Sequence, residues 1–140
     1  ACEREGSLLS LQALMASRNN LQRIPRWIGT SCQLITHMDL SRNKLTYLPV
    51  EIAGLKNLRR MNLSHNDLSD CDGVTQLFSL ENLRILELPM NRITHIPRGH
   101  LPHLYYLNLH HNEIDTVTED IAVTIPLFLD KYKKAGGSKA

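Results

Sequence analysis

Leu58-Arg59-Arg60-Met61-Asn62-Leu63-Ser64-His65-Asn66-Asp67-Leu68 is the stretch that decides the architecture. Apolar side chains stand eight, five and three residues before Asn66 and two after it. Met61-Asn62-Leu63 alternates apolar and polar, which is the period of a short strand with one buried face. Asn66 follows where the chain turns away from that strand. Its amide carries donors and an acceptor, so a stacked copy can satisfy backbone groups of a neighbouring coil that burial would otherwise orphan.

Working outward, the same spacing recurs around asparagines at 19, 43, 66, 91 and 112, at intervals of 24, 23, 25 and 21 residues. The other sets are Leu11, Leu14, Ala16, Asn19, Leu21, then Ile35, Met38, Leu40, Asn43, Leu45. Toward the C-terminus they are Leu83, Leu86, Leu88, Asn91, Ile93 and Leu104, Leu107, Leu109, Asn112, Ile114. One such unit cannot bury its own apolar face, so neighbours must stack.

The pattern resembles the leucine-rich-repeat family, L-x-x-L-x-L-x-x-N-x-L, over roughly residues 8 to 121. The resemblance implies an α/β fold: a right-handed solenoid of about five repeats. It would have a concave parallel sheet and short convex helices or 3₁₀ turns. Ile24-Pro25, Leu48-Pro49 and Ile96-Pro97 continue three of the repeats, with Ile28 and Ile52 three residues after the first two prolines. These pairs resemble the intracellular, Ras-suppressor-like class. Proline there ends the extended segment and presets a helical turn. Asp70-Cys71-Asp72-Gly73 replaces the proline in the third repeat, and Gly99-His100-Leu101-Pro102 leaves little room for a helix in the fourth.

A single domain is expected over residues 1–140, with a C-terminal cap over 122–134 and a flexible tail over 135–140. Thr116-Val117-Thr118-Glu119 has the spacing of a capping box. A helix is expected from about Pro126 to Lys134, where proline suits the first turn and Lys131, Lys133 and Lys134 suit the C-terminus. Leu127, Phe128 and Tyr132 would then cover the last coil. Residues 1–7 are polar and offer no comparable N-terminal cap. The chain is therefore expected to be part of a longer array, its N-terminal edge covered by upstream chain or by a partner.

Composition narrows the function classes. The 140 residues carry a formal net charge of +2, with charged residues at 21% and both signs interspersed. That balance calls for neither nucleic acid nor an acidic membrane. No apolar run approaches the ~20 residues of a membrane span. Cys2, Cys32 and Cys71 form no close pair, which suits reduced thiols and an intracellular, cytoplasmic location. A secreted receptor fragment is disfavoured by the missing cysteine-rich caps. Asn62-Leu63-Ser64 matches a glycosylation sequon but falls inside an expected strand.

Chemistry-bearing constellations are weak. His100 and His103 flank Pro102, His110 and His111 are consecutive and should diverge, and no third ligand is set by spacing. Cys71 lies between Asp70 and Asp72, which disfavour a thiolate. Neither a nucleophile elbow nor a glycine-rich phosphate loop is present. No catalytic residue, metal or cofactor is assigned.

The outward strand positions should form columns across the sheet. The central column reads Met15, Asp39, Asn62, Glu87, Asn108, and the column before each Asn reads Arg18, Arg42, His65, Met90, His111. Ala13, His37, Arg60, Ile85, Tyr106 form another, and Gln12, Thr36, Arg59, Arg84, Tyr105 run outermost. Any one of these residues is equally a solvated strand position. Together, Tyr105, Tyr106, Ile85 and Met90 form an apolar-aromatic patch beside Arg18, Arg42, Arg60 and His65, which are residue types of binding hot spots. Trp27 aligns with Glu51 of the next repeat, hence on the convex side, where it packs against upstream chain or makes a second contact. The expected function is binding of another protein, folded or extended, as a scaffold or targeting domain. The alternative is an RNA-binding or ribonucleoprotein subunit using concave Arg and Tyr, which Asp39 and Glu87 in mid-surface oppose.

Overall fold

The computed structural model describes residues 10–69, 72–114 and 116–117. Cys2, Cys71 and the expected C-terminal cap and tail lie outside the described residues. Strands β1 (Ala13–Met15), β2 (His37–Asp39), β3 (Arg60–Asn62), β4 (Ile85–Glu87) and β6 (Tyr106–Asn108) form one parallel sheet in the order β1-β2-β3-β4-β6. Strands β5 (His95–Ile96) and β7 (Thr116–Val117) form a second, two-stranded sheet. Thr116 and Val117 extend to pair with His95 and Ile96.

The register is the one the asparagine spacing implies. Ala13, His37, Arg60, Ile85 and Tyr106 are successive partners, as are Met15, Asp39, Asn62, Glu87 and Asn108. Between them Leu14, Met38, Met61, Leu86 and Leu107 point inward. The ladder runs past the strands at both ends. The Arg84 N–H donates to the Arg59 carbonyl at 2.8 Å, and the His65 N–H to the Pro89 carbonyl at 3.0 Å. A one-residue slip would turn every inward side chain to solvent, so apolar alternation pins this register.

The core is one column of aliphatic side chains. Ile35, Leu45, Leu58, Met61, Leu63, Leu68, Leu83, Leu86 and Leu88 are fully buried. Leu11, Leu14 and Ala16 of the first coil and Leu107 of the last are only partly so. That gradient follows from stacking, because an end coil has a neighbour on one side only.

Among the described residues three short helical pieces line the convex side: α1 (Ile28–Ser31), a 3₁₀ helix η1 (Val50–Gly54) and α2 (Asp72–Leu77). Proline starts the first two as expected. The Ile28 N–H donates to the Pro25 carbonyl at 3.2 Å and the Ile52 N–H to the Pro49 carbonyl at 3.1 Å. Among the described residues no helix separates β4 from β6, and β5 fills that interval. Where α1 meets η1 the backbones touch. A Cβ at Gly29 would overlap the Glu51 carbonyl oxygen, and one at Gly54 would overlap that of Gly29. Only glycine allows coils to approach so closely.

The asparagines tie the coils together. Asn66 Nδ2 donates to the Leu40 carbonyl of the preceding coil and to Leu63 of its own, both at 3.0 Å, while its Oδ1 accepts the Leu45 N–H at 3.0 Å. Asn43, Asn91 and Asn112 repeat this arrangement with Leu21, Leu68 and Ile93 as donors. Asn19 is exposed and bonds the Ala16 and Ser17 carbonyls of its own turn.

Candidate functional site

The sheet face opposite the core gathers the residues that the columns selected. Arg60, Tyr105 and Tyr106 are exposed, while Ile85, Asp39, Asn62, Glu87 and Asn108 are half-buried. Tyr105 is 68% exposed, Met90 43% and Tyr106 38%. The tyrosines follow Arg84-Ile85 on the neighbouring strand, so the patch covers the β4–β6 end of the face.

Arg18, Arg42, His65, Met90 and His111 are exposed and share a left-handed backbone, with φ between 55° and 58°. This conformation turns the chain off each strand toward the ladder asparagine. It costs a side-chain-bearing residue about 1–2 kcal/mol. The five residues have no common chemistry, so the sequence carried no sign of it.

The central column does structural work as well. Asp39 Oδ1 accepts the Ser41 N–H at 3.0 Å and the Ser41 hydroxyl at 2.7 Å. Asn62 does the same for Ser64, at 3.0 and 2.7 Å. Asn108 Oδ1 accepts the His110 N–H at 3.0 Å. These are Asx turns that lead into the left-handed residue. In the fourth coil residue 89 is proline, which has no N–H to satisfy, and the column there holds Glu87 instead. Glu87 Oε2 lies 3.5 Å from Arg60 Nη2, longer than a charge-assisted hydrogen bond.

Charge on the face is uneven. Besides Arg60, the face carries Arg18, Arg42, Arg59 and Arg84, and among the described residues none of these four pairs with a carboxylate. Asp39 and Glu87 are its acids, and each already serves a neighbour.

A second asparagine ladder, not anticipated from sequence, borders the other edge of the sheet. Asn57 Nδ2 donates to the Gln33 carbonyl at 2.9 Å and Asn82 Nδ2 to Lys56 at 2.7 Å. Both precede the first apolar residue of their unit, a signal confined to two coils. Trp27 is 38% exposed just ahead of α1 on the convex side. Nearby, a groove of about 290 Å³ is lined by Ile24, Arg26, Tyr47, Leu48, Pro49, Val50, Glu51 and Asp72.

The histidines do not assemble. His110 and His111 have ring centroids 6.5 Å apart at 50°. Among the described residues no group of three or more His, Cys, Asp or Glu is placed to hold a metal ion. Among them, too, no helix is long and apolar enough to cross a membrane.

Comparison with known proteins agrees with this geometry. The leucine rich repeat family model matches residues 9–68. Osteomodulin of Rattus norvegicus is 33% identical over 121 residues, covering 85% of this chain and 28% of the relative. Toll-like receptor 8 of Homo sapiens is 32% identical over 120 residues, covering 74% and 11%. A leucine-rich-repeat protein of Leptospira interrogans superposes with a TM-score of 0.75 at 32% identity, covering 87% of this chain and 31% of that one. The plant peptide hormone receptor RGFR1, solved in complex with RGF2, superposes with a TM-score of 0.68 at 25% identity, covering 85% and 20%. The chain spans less than a third of the length of each of these relatives. The periodic asparagines, the five-stranded parallel sheet and these likenesses make the chain a leucine-rich-repeat solenoid.

Proposed function

We propose that this chain is a non-catalytic interaction module that presents its concave sheet to a partner protein, as the scaffold or targeting part of a longer protein. One observation carries the reading. Tyr105 and Tyr106 are exposed beside the half-buried Ile85, the strand partner of Tyr106, on a sheet whose regular backbone holds them in fixed register. Rigid aromatic anchors lose little conformational entropy on binding, so a patch of this kind gains affinity that a mobile loop would not. A related solenoid binds a peptide hormone, which supports a protein or peptide as the partner.

The proline-initiated turns at Pro25 and Pro49 support the Ras-suppressor-like class, and with it an intracellular, cytoplasmic setting. The binding set on the face is Arg18, Asp39, Arg42, Arg60, Asn62, His65, Ile85, Glu87, Met90, Tyr105, Tyr106, Asn108 and His111, with Trp27 as a convex contact. Within it, Asp39, Asn62 and Asn108 contribute to the partner only what their Asx turns leave over. The module uses no cofactor.

The test is affinity capture with wild type and a Glu87→Arg/Tyr106→Ala double variant, each with and without nuclease, after both show the same thermal melt. A protein captured in the presence of nuclease and lost with the variant supports the reading. Nuclease-sensitive capture moves the chain to the ribonucleoprotein alternative. Identical capture by both forms places the active surface elsewhere, with Trp27 the next position to change.

A further inference from the structure

Arg59 and Arg84 occupy the same column on adjacent strands, joined by the Arg84 N–H to Arg59 carbonyl hydrogen bond of 2.8 Å. Like charges directly opposite each other on a sheet are destabilising. The fold could have placed an acid between them, and it does place one three residues further along the strand. Glu87, however, lies at Arg60, 3.5 Å from its guanidinium. Among the described residues Arg59 and Arg84 thus have no carboxylate partner and stand as a cationic pair, the next place in their column being Tyr105.

Resting on the concave-face reading above, we propose that this pair receives a carboxylate side chain from an extended segment of the partner, and that the tyrosines receive an apolar residue two positions along. The spacing argues for that offset. Adjacent strands lie ~4.8 Å apart, so the midpoint of the pair is about 7 Å from the Tyr105 strand. An extended peptide crossing the strands advances about 3.3 Å per residue and points alternate side chains the same way, so residues i and i+2 meet the two stations. The motif is Asp or Glu, any residue, then an apolar residue. Two forked guanidinia fit the planar carboxylate by paired N–H donors.

Charge complementarity selects an acidic peptide over a nucleic acid. A phosphate chain following the arginines across the sheet would pass Glu87 and Asp39, both half-buried in the face. A single carboxylate at the outer column reaches the pair without meeting either. The apolar station formed by Tyr105, Tyr106 and Ile85 also matches a side chain better than a sugar-phosphate backbone.

The test is selection of random displayed 12-mer peptides on the folded chain, beside a labelled pool of random 12-nucleotide single-stranded RNA. The expected result is enrichment of the acid-x-apolar motif. A synthetic peptide of that motif should lose roughly tenfold in affinity with Arg59→Gln/Arg84→Gln. Arg59→Lys/Arg84→Lys, which keeps the charge but not the fork, should lie between. Both variants alter exposed side chains and should melt with wild type. Failure to enrich any peptide overturns the proposal. Enriched peptides without an acid excess, still lost with Glu87→Arg/Tyr106→Ala, overturn the carboxylate station and leave the concave face standing. Peptides that bind regardless of either change overturn both. RNA bound more tightly than any peptide, and released by Arg59→Gln/Arg84→Gln, reassigns the pair to phosphate.

Discussion

Replacing Asn66 with alanine removes the acceptor of the Leu45 N–H and the donor to the Leu40 and Leu63 carbonyls, each at 3.0 Å. Leu45 is fully buried and Asn66 is 6% exposed, so water does not readily replace the lost partner. An orphaned buried donor costs about 1–3 kcal/mol, and each lost carbonyl bond about 0.5–1.5 kcal/mol. The combined loss is about 2–6 kcal/mol, a large part of the ~5–15 kcal/mol by which a domain is stable. Asn19→Ala is the internal control. Asn19 is exposed and serves carbonyls of its own turn, so its loss should cost below about 1 kcal/mol. Asn66→Asp separates shape from hydrogen bonding. It keeps an acceptor for Leu45 but turns a carboxylate oxygen toward two carbonyls, so it should destabilise about as strongly as alanine at neutral pH. Burial would raise that carboxyl's pKa above its unfolded value, so the folded state binds the proton more tightly and the variant regains stability as pH falls. Urea denaturation followed by circular dichroism measures all three. A loss below about 1 kcal/mol for Asn66→Ala, or one no larger than for Asn19→Ala, would refute the ladder as a principal tie between coils.

Other substitutions probe the backbone. Gly54→Ala places a Cβ against the Gly29 carbonyl oxygen, so the convex coils must separate. It should cost upward of ~2 kcal/mol by the same denaturation measurement, against a few tenths for an exposed control such as Ser79→Ala. At Arg42, with φ of 55°, glycine relieves left-handed strain but adds entropy to the unfolded chain. Arg42→Gly should be neutral to about 1 kcal/mol stabilising, whereas Arg42→Val, with a branched Cβ, should destabilise by more than about 1 kcal/mol. Leu86→Ala, in the fully buried middle of β4, should cost about 2–5 kcal/mol and lower the melting temperature accordingly.

The fold was legible because the asparagine and its four apolar companions each do one recurring job. The spacing of Asn43, Asn66 and Asn91 fixed which residues stand side by side, and the columns through Arg60 and Glu87 follow from it without adjustment. The convex side was less legible. Pro25 and Pro49 start turns of the same kind, yet one continues as α and the other as 3₁₀, a difference of one hydrogen-bond offset that no residue type dictates. The pairing of Thr116-Val117 with His95-Ile96 joins segments about twenty residues apart, which no local spacing announces. For the candidate site, residue identity gave exposure and charge but not the local duties of Asp39, Asn62 and Asn108. Their Asx turns became visible only with the backbone that needs them.

The central claim is that partners meet the sheet face rather than the convex side. A photo-crosslinking amino acid at position 106, on β6, tests it against the same group at position 79, which follows α2 on the convex side and is exposed. With both proteins melting alike, the account predicts that a captured partner cross-links through position 106 and not through position 79. A partner that cross-links from position 79 alone would contradict it.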